Sequence, residues 1–473
     1  MQSAPRTGIV EDFDLAQQRE ARCSHFGGIR NRHARLRAWR QDKCSEIAFE
    51  CNLRRSASTV DGRRYNSIMT ESSALMTPAL AEAAILARMT PLSAESLPLR
   101  QCAGATLRED VHAERDNPPF DRVALDGIAV SSDALHHGTT RFRIQGTQAA
   151  GAPASRLQEG DNAIEVMTGA VLPHSSDCVV PYEQYELERG VARLTARVKS
   201  NPFHNVHRRG SDGAKGALLL KLGTQLRPVH IAVAAAAGRP RLQVSRQPAI
   251  MIISTGDELI EPGEPIAEHQ VRRSNAYGVM AALRARGFTR VGDDHLLDDE
   301  SLLEERLALH LTTHDVVILS GGVSMGRFDL VPKALTKLGV EQVFHKVAQR
   351  PGKPLWFGIG TRGQSVFGLP GNPVSTLVCL LRYVIPAIDA ARGATPAPGE
   401  NVALADEVAF DLPLTHFLPV AILHDELGTP WAHARPTNGS GDFVSLIGTN
   451  GFVELAPGPI RHPKGHIARL YRW

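Results

Sequence analysis

Four carboxylates, Asp257, Glu258, Asp298 and Asp329, each lie just past an apolar run, and two lysines stand in short basic stretches, His345-Lys346 and Arg350-Pro351-Gly352-Lys353-Pro354. Carboxylates by themselves repel a phosphate or an oxyanion. A hard divalent cation such as Mg2+ reverses that by bridging the two, and lysines hold anionic oxygens directly. The set therefore suits chemistry on a polar, anionic ligand. Three further short polar residues stand beside glycines: Asp126 in PPFDRVALDG, Thr168 in EVMTGA and Asp212 in RRGSDG. For each, turn formation is the ordinary reading, because short polar side chains bond their own backbone at tight turns.

The elements that must carry these residues are legible from periodicity. Ile250-Met251-Ile252-Ile253, Val316-Val317-Ile318-Leu319 and Val366-Phe367 read as buried strands. The first runs into Ser254-Thr255-Gly256-Asp257-Glu258, the second into Ser320-Gly321-Gly322, and the third into Pro370-Gly371-Asn372-Pro373-Val374-Ser375. Neither the Walker spacing nor the dinucleotide fingerprint occurs in SGGVSMGRFD. Asn372 suits a helix N-cap with Pro373 at the first helical position. Three such turns on one sheet predict a rim at the carboxyl edge that holds a ligand.

Strands and helices alternate from Pro248 to about Ala391. Val279, Met280 and Leu283 mark one helix, Leu303, Leu307 and Leu311 a second, and Val331, Ala334, Leu335 and Leu338 a third. The fold class expected is α/β multidomain, with a doubly wound, parallel sheet domain flanked by β-rich regions. Order begins near Thr77-Pro78, as a helix. Residues 97–226 read as short strands and turns, and beyond Gly399 the pattern suits a small β-barrel or sandwich.

A length of 473 residues allows roughly three domains. Apolar content of 42% against 22% charged residues is that of a globular chain with a substantial core. The longest apolar run found is Ile231–Ala237, well short of the ~20 residues that span a bilayer, so no membrane role is expected. Six scattered cysteines with no C-x-x-C pair suit a reducing cytosol. Of 53 Lys and Arg and 50 Asp and Glu, residues 1–68 hold 13 and 8, which leaves 40 against 42 in the rest. That near-neutral body asks for no nucleic-acid partner. The Arg-rich opening lacks periodicity and an apolar signal core, and reads as a disordered extension with Met69 a plausible start.

Taken in order, PPFDRVALDG, VMTGAVLP, RRGSDGAKG, STGDEL, SGGVSMGRFD, HKVAQRPGKP, GLPGNPVS and TNGSGD resemble the motifs of the molybdopterin molybdenumtransferase family, which includes the C-terminal domain of gephyrin. The resemblance covers about residues 77–473. It implies insertion of molybdate into adenylylated molybdopterin, giving molybdenum cofactor and AMP, with Mg2+ or a similar cation. Asp126, Thr168 and Asp212 would act from a neighbouring domain, and Glu258, Asp298 and Asp329 would serve catalysis and the metal. Gly321, Gly322, Ser324, Lys346, Lys353, Pro370, Gly371, Asn372, Pro373, Ser375 and Ser440 would bind the ligand, the two glycines by letting backbone approach its phosphate side.

The resemblance also implies a cytoplasmic homodimer whose cleft is completed across the dimer. Its domains would be a ligand-binding α/β domain (74–93 and 247–396), an elongated dimerisation domain (94–112 and 216–246), a second β-rich domain (113–215) and a C-terminal barrel (397–473). Arg122, Leu125, Ile128 and Arg350 depart from the family pattern. Two alternatives stay open at this point: a related molybdopterin adenylyltransferase, which lacks the flanking domains, and a non-catalytic scaffold.

Overall fold

Thr77 starts helix α1 (Pro78–Arg88): its hydroxyl accepts from Leu80 N at 3.3 Å, and Pro78 takes the first helical position, where a missing N–H costs nothing. The computed structural model describes residues 75–195, 198, 201–322, 330–458 and 460–473. The expectations for residues 1–68, Ser324 and Asp329 lie outside the described residues. Helix α1 buries Ala81, Ala84 and Ile85 in the core of a sheet built far downstream.

That sheet has six strands: β1 (Ile250–Thr255), β2 (Val291–Leu296), β3 (Val316–Ser320), β4 (Glu341–His345), β5 (Trp356–Ile359) and β6 (Ser365–Leu369). They lie in the order β2-β1-β3-β6-β5-β4. The first four are parallel, with α2 (Asn275–Ala285), α3 (Glu300–Thr313) and α4 (Leu330–Lys337) between them in the chain. Both faces are covered, which is why β1 and β3 are continuous apolar runs, whereas the edge strand β2, VGDDHL, is not. Ile250 and Ile252 enter one core cluster, and Met251 and Ile253 the other. At the other edge β5 runs antiparallel to β6 and to β4. The connections at 346–355 and 360–364 are too short for a helical crossover, so only hairpins fit.

After β6 the chain forms one helical run from Pro373 to Ala391: α5 (Pro373–Cys379), a π turn (Leu380–Val384) and α6 (Ile385–Ala391). Among the described residues this run, not Ile231–Ala237, is the apolar segment long enough to span a membrane by length and composition, and it is mostly buried inside the protein. Arg382 interrupts its apolar pattern yet is buried. It pairs with Glu82 at 2.8 Å and Glu454 at 3.0 Å, tying the run to α1 and to the C-terminal region.

Strands Glu400–Leu404, Thr415–His424, Pro430–Ala434, Gly451–Leu455 and Ile467–Arg472 close into a five-stranded barrel around Leu418, Val420, Val453 and Leu470. Closure decides for the barrel over the sandwich. Gln349–Arg350, in the β4–β5 connection, pairs in parallel with Thr415–His416 of the barrel, so the basic loop is stitched to it. Residues 127–194 contribute a separate six-stranded sheet that includes Gly127–Val130, directly after Asp126. Strand Ala94–Pro98 pairs with Arg241–Ser245, and Val111–His112 with Leu218–Leu220.

Candidate active-site cleft

Strands β1, β3 and β6 are neighbours, and their register sets Ser254 beside Ser320 and Ser320 beside Leu369. The three turns expected at strand ends are therefore adjacent. In the first, the Glu258 carboxyl folds back over Gly256: a Cβ on that glycine would lie 2.4 Å from Glu258 Oε2. In the second, Gly321 and Gly322 have φ of +98° and +65°. A Cβ on Gly321 would lie 2.9 Å from Thr255 O, and one on Gly322 2.7 Å from Thr255 Oγ1 and 2.8 Å from Val331 Cγ2. The fold itself thus demands both glycines, by backbone conformation and by close packing. In the third, Gly371 lies against Gly321, where a Cβ would come within 3.6 Å of Gly321 Cα.

Two clefts open from this rim. The first, about 480 Å³, is lined by Thr255, Glu258, Arg273, Asn275, Gly321, Gly371, Asn372 and Pro373, with Phe443 from the C-terminal region. The second, about 700 Å³, lies between the sheet and the barrel, with Arg350, Lys353, Pro370, Asn372, Ser375, His416 and Ser440 in its walls. Asn372 belongs to both. It stands at the N-cap position, but its side chain does not cap the helix. Instead Nδ2 donates to Ser440 Oγ at 2.6 Å, while Val374 N donates to Ser440 O at 3.1 Å. The expected cap is a bridge to the barrel.

Both clefts carry both signs of charge. Glu258, Arg272 and Arg273 line the first. Arg350, Lys353 and Asp411 line the second, with His416 beside them in neutral form. The His416 ring stacks on Phe410 at 4.1 Å. Burial, then the positive charge of Arg350 and His462, pushes its pKa down to about 4. At neutral pH the positive charge of the second cleft comes from the arginine and the lysine.

The remaining expected residues sit elsewhere. Asp298 donates its backbone N–H to Asp257 Oδ1 at 3.0 Å, next to the first turn, and lines neither cleft. Lys346, at the end of β4, has φ of +73°, a costly conformation for a residue with a side chain, and also lines neither. Thr168 donates to Asp126 Oδ1 through both its hydroxyl, at 2.7 Å, and its N–H, at 2.6 Å. Those two bonds hold the Asp126 carboxyl below the usual aspartate range. Asp121 Oδ1 accepts from Arg209 N at 2.8 Å, which joins the PPFD stretch to RRGSDG, where Asp212 accepts from Ser211 Oγ at 3.1 Å. Arg122 lies 3.1 Å from His207 Nδ1, and Ile128 is fully buried. Thr168 is thus bonded to Asp126, while Asp212 belongs to the turn beside Asn117, and none of the three lines either cleft within the chain. Among the described residues no three His, Cys, Asp or Glu side chains come together as a metal-ligand set.

Sequence reasoning missed the segment Arg272-Arg273-Ser274-Asn275, all four of which line the first cleft. A polar pair just ahead of the apolar period of α2 was an available helix-start signal. Nothing local marks Arg273 as buried.

Three family models match the chain. Residues 76–238 match the MoeA N-terminal region (domain I and II), residues 251–390 a "probable molybdopterin binding domain", and residues 401–466 the MoeA C-terminal region (domain IV). The chain is 38% identical to a molybdopterin molybdenumtransferase of Synechocystis sp. over 78% of its own length and 93% of the relative's. It belongs to the molybdopterin molybdenumtransferase family. A relative of the same description from Bacillus subtilis is 30% identical over 77% of this chain and 86% of its own. A crystal structure of the molybdopterin biosynthesis moeA protein from Pyrococcus horikoshii superposes with a TM-score of 0.71 at 27% identity, over 85% of this chain and 100% of that one. Matches on both sides of the sheet domain set aside the adenylyltransferase alternative, which lacks those flanks.

Proposed function

We propose that the protein catalyses molybdate insertion into adenylylated molybdopterin, releasing molybdenum cofactor and AMP. The observation that carries this reading is the junction at Asn372: a first cleft lined by Glu258, Arg272 and Arg273 opens beside a second lined by Arg350, Lys353 and Asp411. An extended ligand with anionic groups can lie across both. Arg350 and Lys353 hold phosphate or molybdate oxygens, and the Ser375 and Ser440 hydroxyls and the Asn372 carboxamide fix their orientation. Preorganised donors and charges of this kind stabilise charge that develops as a phosphoanhydride is cleaved. Pro370, Gly371, Pro373, Gly321 and Gly322, with Ser324 outside the described residues, shape the wall, and Lys346 supports it from the end of β4.

Glu258 is the carboxylate placed to act on the ligand, with Asp298 and Asp329 as the further expected acids. A divalent cation such as Mg2+ would be held from Glu258 and supply charge neutralisation. The described carboxylates form no complete ligand set. A Mg2+ titration of Glu258→Gln, expected to show a weakened dependence, tests that assignment.

The same reading takes the molecule to be a cytoplasmic homodimer with the four-domain division stated above. Helix Pro228–Ala236 is apolar almost throughout, yet only Ala234 is fully buried; Val229 is 61% exposed, and Leu218 and Leu222 beside it 50% each. A second copy would cover that face. The Asp126–Thr168 pair is flanked by exposed Leu125 and Met167, which suits docking, with Asp212, at the cleft of the partner subunit. Buried free thiols at Cys102, Cys178 and Cys379 fit a reducing compartment. The test is AMP release from adenylylated molybdopterin with and without molybdate. Molybdate-dependent release is expected, and its absence sinks the proposal.

A further inference from the structure

We propose that Asn275 is a positioning residue that sets the spacing of the two turns at the mouth of the first cleft, an inference that rests on reading that cleft as the molybdopterin site. Asn275 is the first residue of α2, far in sequence from both turns. Its Nδ2 donates one hydrogen to Ser320 Oγ at 2.9 Å and the other to Gly371 O at 2.7 Å. Ser320 ends β3 directly before Gly321-Gly322, and Gly371 opens the turn after β6. The last backbone bond between these two strand ends is a long one, Gly321 N to Leu369 O at 3.3 Å. Beyond it no backbone hydrogen bond joins the two turns among the described residues. The carboxamide takes over where the ladder stops, using both of its N–H donors.

Two residues earlier, Arg273 does the same for the other half of the rim. It is buried, and donates to Ser254 Oγ of β1 at 3.1 Å, Asp293 Oδ2 of β2 at 2.5 Å and Glu261 Oε2 at 3.0 Å. Glu261 follows Glu258 by three residues and also accepts from Tyr277. One short segment thus bonds to β1 and β2 through Arg273, and to the end of β3 and the turn after β6 through Asn275. Ligand groups held by two different turns need those turns at a constant separation, and a side chain locked by its own bonds supplies it.

Asn275→Asp keeps the size but removes both donors and sets a carboxylate against the Gly371 carbonyl. Val279→Ala, one turn along α2 and fully buried, is the foil, because it loosens the core without touching the rim. Asn275→Asp, which loses two hydrogen bonds, should raise KM for adenylylated molybdopterin about tenfold or more. Val279→Ala, compared at equal folded fraction, should leave KM at the wild-type value while lowering Tm. Ser320→Ala should raise KM in the wild-type background and add nothing in Asn275→Ala, since the two share one bond. A KM shift in Asn275→Asp no larger than in Val279→Ala overturns the inference, as does a Ser320→Ala effect of equal size in both backgrounds. Wild-type protein without molybdate-dependent AMP release would overturn the reading of the cleft itself, whereas failure of the inference alone leaves wild-type turnover intact.

Discussion

At the scale of single residues, environment assigns protonation. Asp126 keeps its charge at lower pH than an ordinary aspartate because the Thr168 hydroxyl and N–H both point at one oxygen. Thr168→Val removes the hydroxyl and spares the N–H. The Asp126 pKa should then rise part of the way back to the ordinary value, which a carboxyl NMR titration of the two proteins reads directly. The sign is fixed: a depressed carboxylate pKa gives stability present above its unfolded value and lost as pH falls through the folded one. For His416 the argument runs on the other form. Its pKa falls from 6.5 to about 4, so the unfolded chain binds a proton first as pH drops, and folded stability declines between those values. His416→Phe should lose less stability than wild type across that window in urea melts at stepped pH. An equal loss would place the proton elsewhere.

At the scale of elements, the glycine turn after β3 shows why a motif can be demanding for two reasons at once. Gly322 combines a φ of +65° with a Cβ site 2.7 Å from Thr255 Oγ1 and 2.8 Å from Val331 Cγ2. Gly169 shares the left-handed conformation, φ +84°, and has nothing within 4 Å. Gly169→Ala should cost about 1 kcal/mol for conformation alone. Gly322→Ala adds overpacking of about 1–3 kcal/mol and should lower Tm visibly further. Equal shifts would mean that the turn relaxes away from Thr255 freely. The long helix from Pro373 to Ala391 makes a related point, since buried Arg382 is stable there only because Glu82 and Glu454 reach it from two other elements.

At the scale of the whole molecule, the proposed dimer makes a prediction about two distant aspartate and glutamate sites. Asp126→Ala and Glu258→Ala homodimers should each be nearly inactive. A heterodimer of the two, made from differently tagged chains, should recover up to half of wild-type activity if Asp126 serves the cleft of the partner subunit. One of its clefts then keeps both residues and the other loses both. Verified heterodimers with no recovery would assign both residues to the same chain's site.

Much of the fold and part of the site were legible in the sequence, and for a definite reason. Strand runs, helix periods, the Thr77-Pro78 start and the turns after β1, β3 and β6 depend on neighbours within a few residues, so local patterning determined them. The family motifs belong to the same class of signal. What only the tertiary structure decided are relations between distant segments. The antiparallel edge follows from the shortness of two connections, and closure of the barrel from pairing of Thr415–His424 with Gly451–Leu455. Asn372 looked like a cap because its neighbours ask for one, yet Ser440 takes its side chain. Arg273 and Asn275 carried no chemical signature of their own. Their meaning lies in strands and turns that the chain order scatters and the sheet sets side by side, and a contact of that range is a property of packing, which no local pattern encodes.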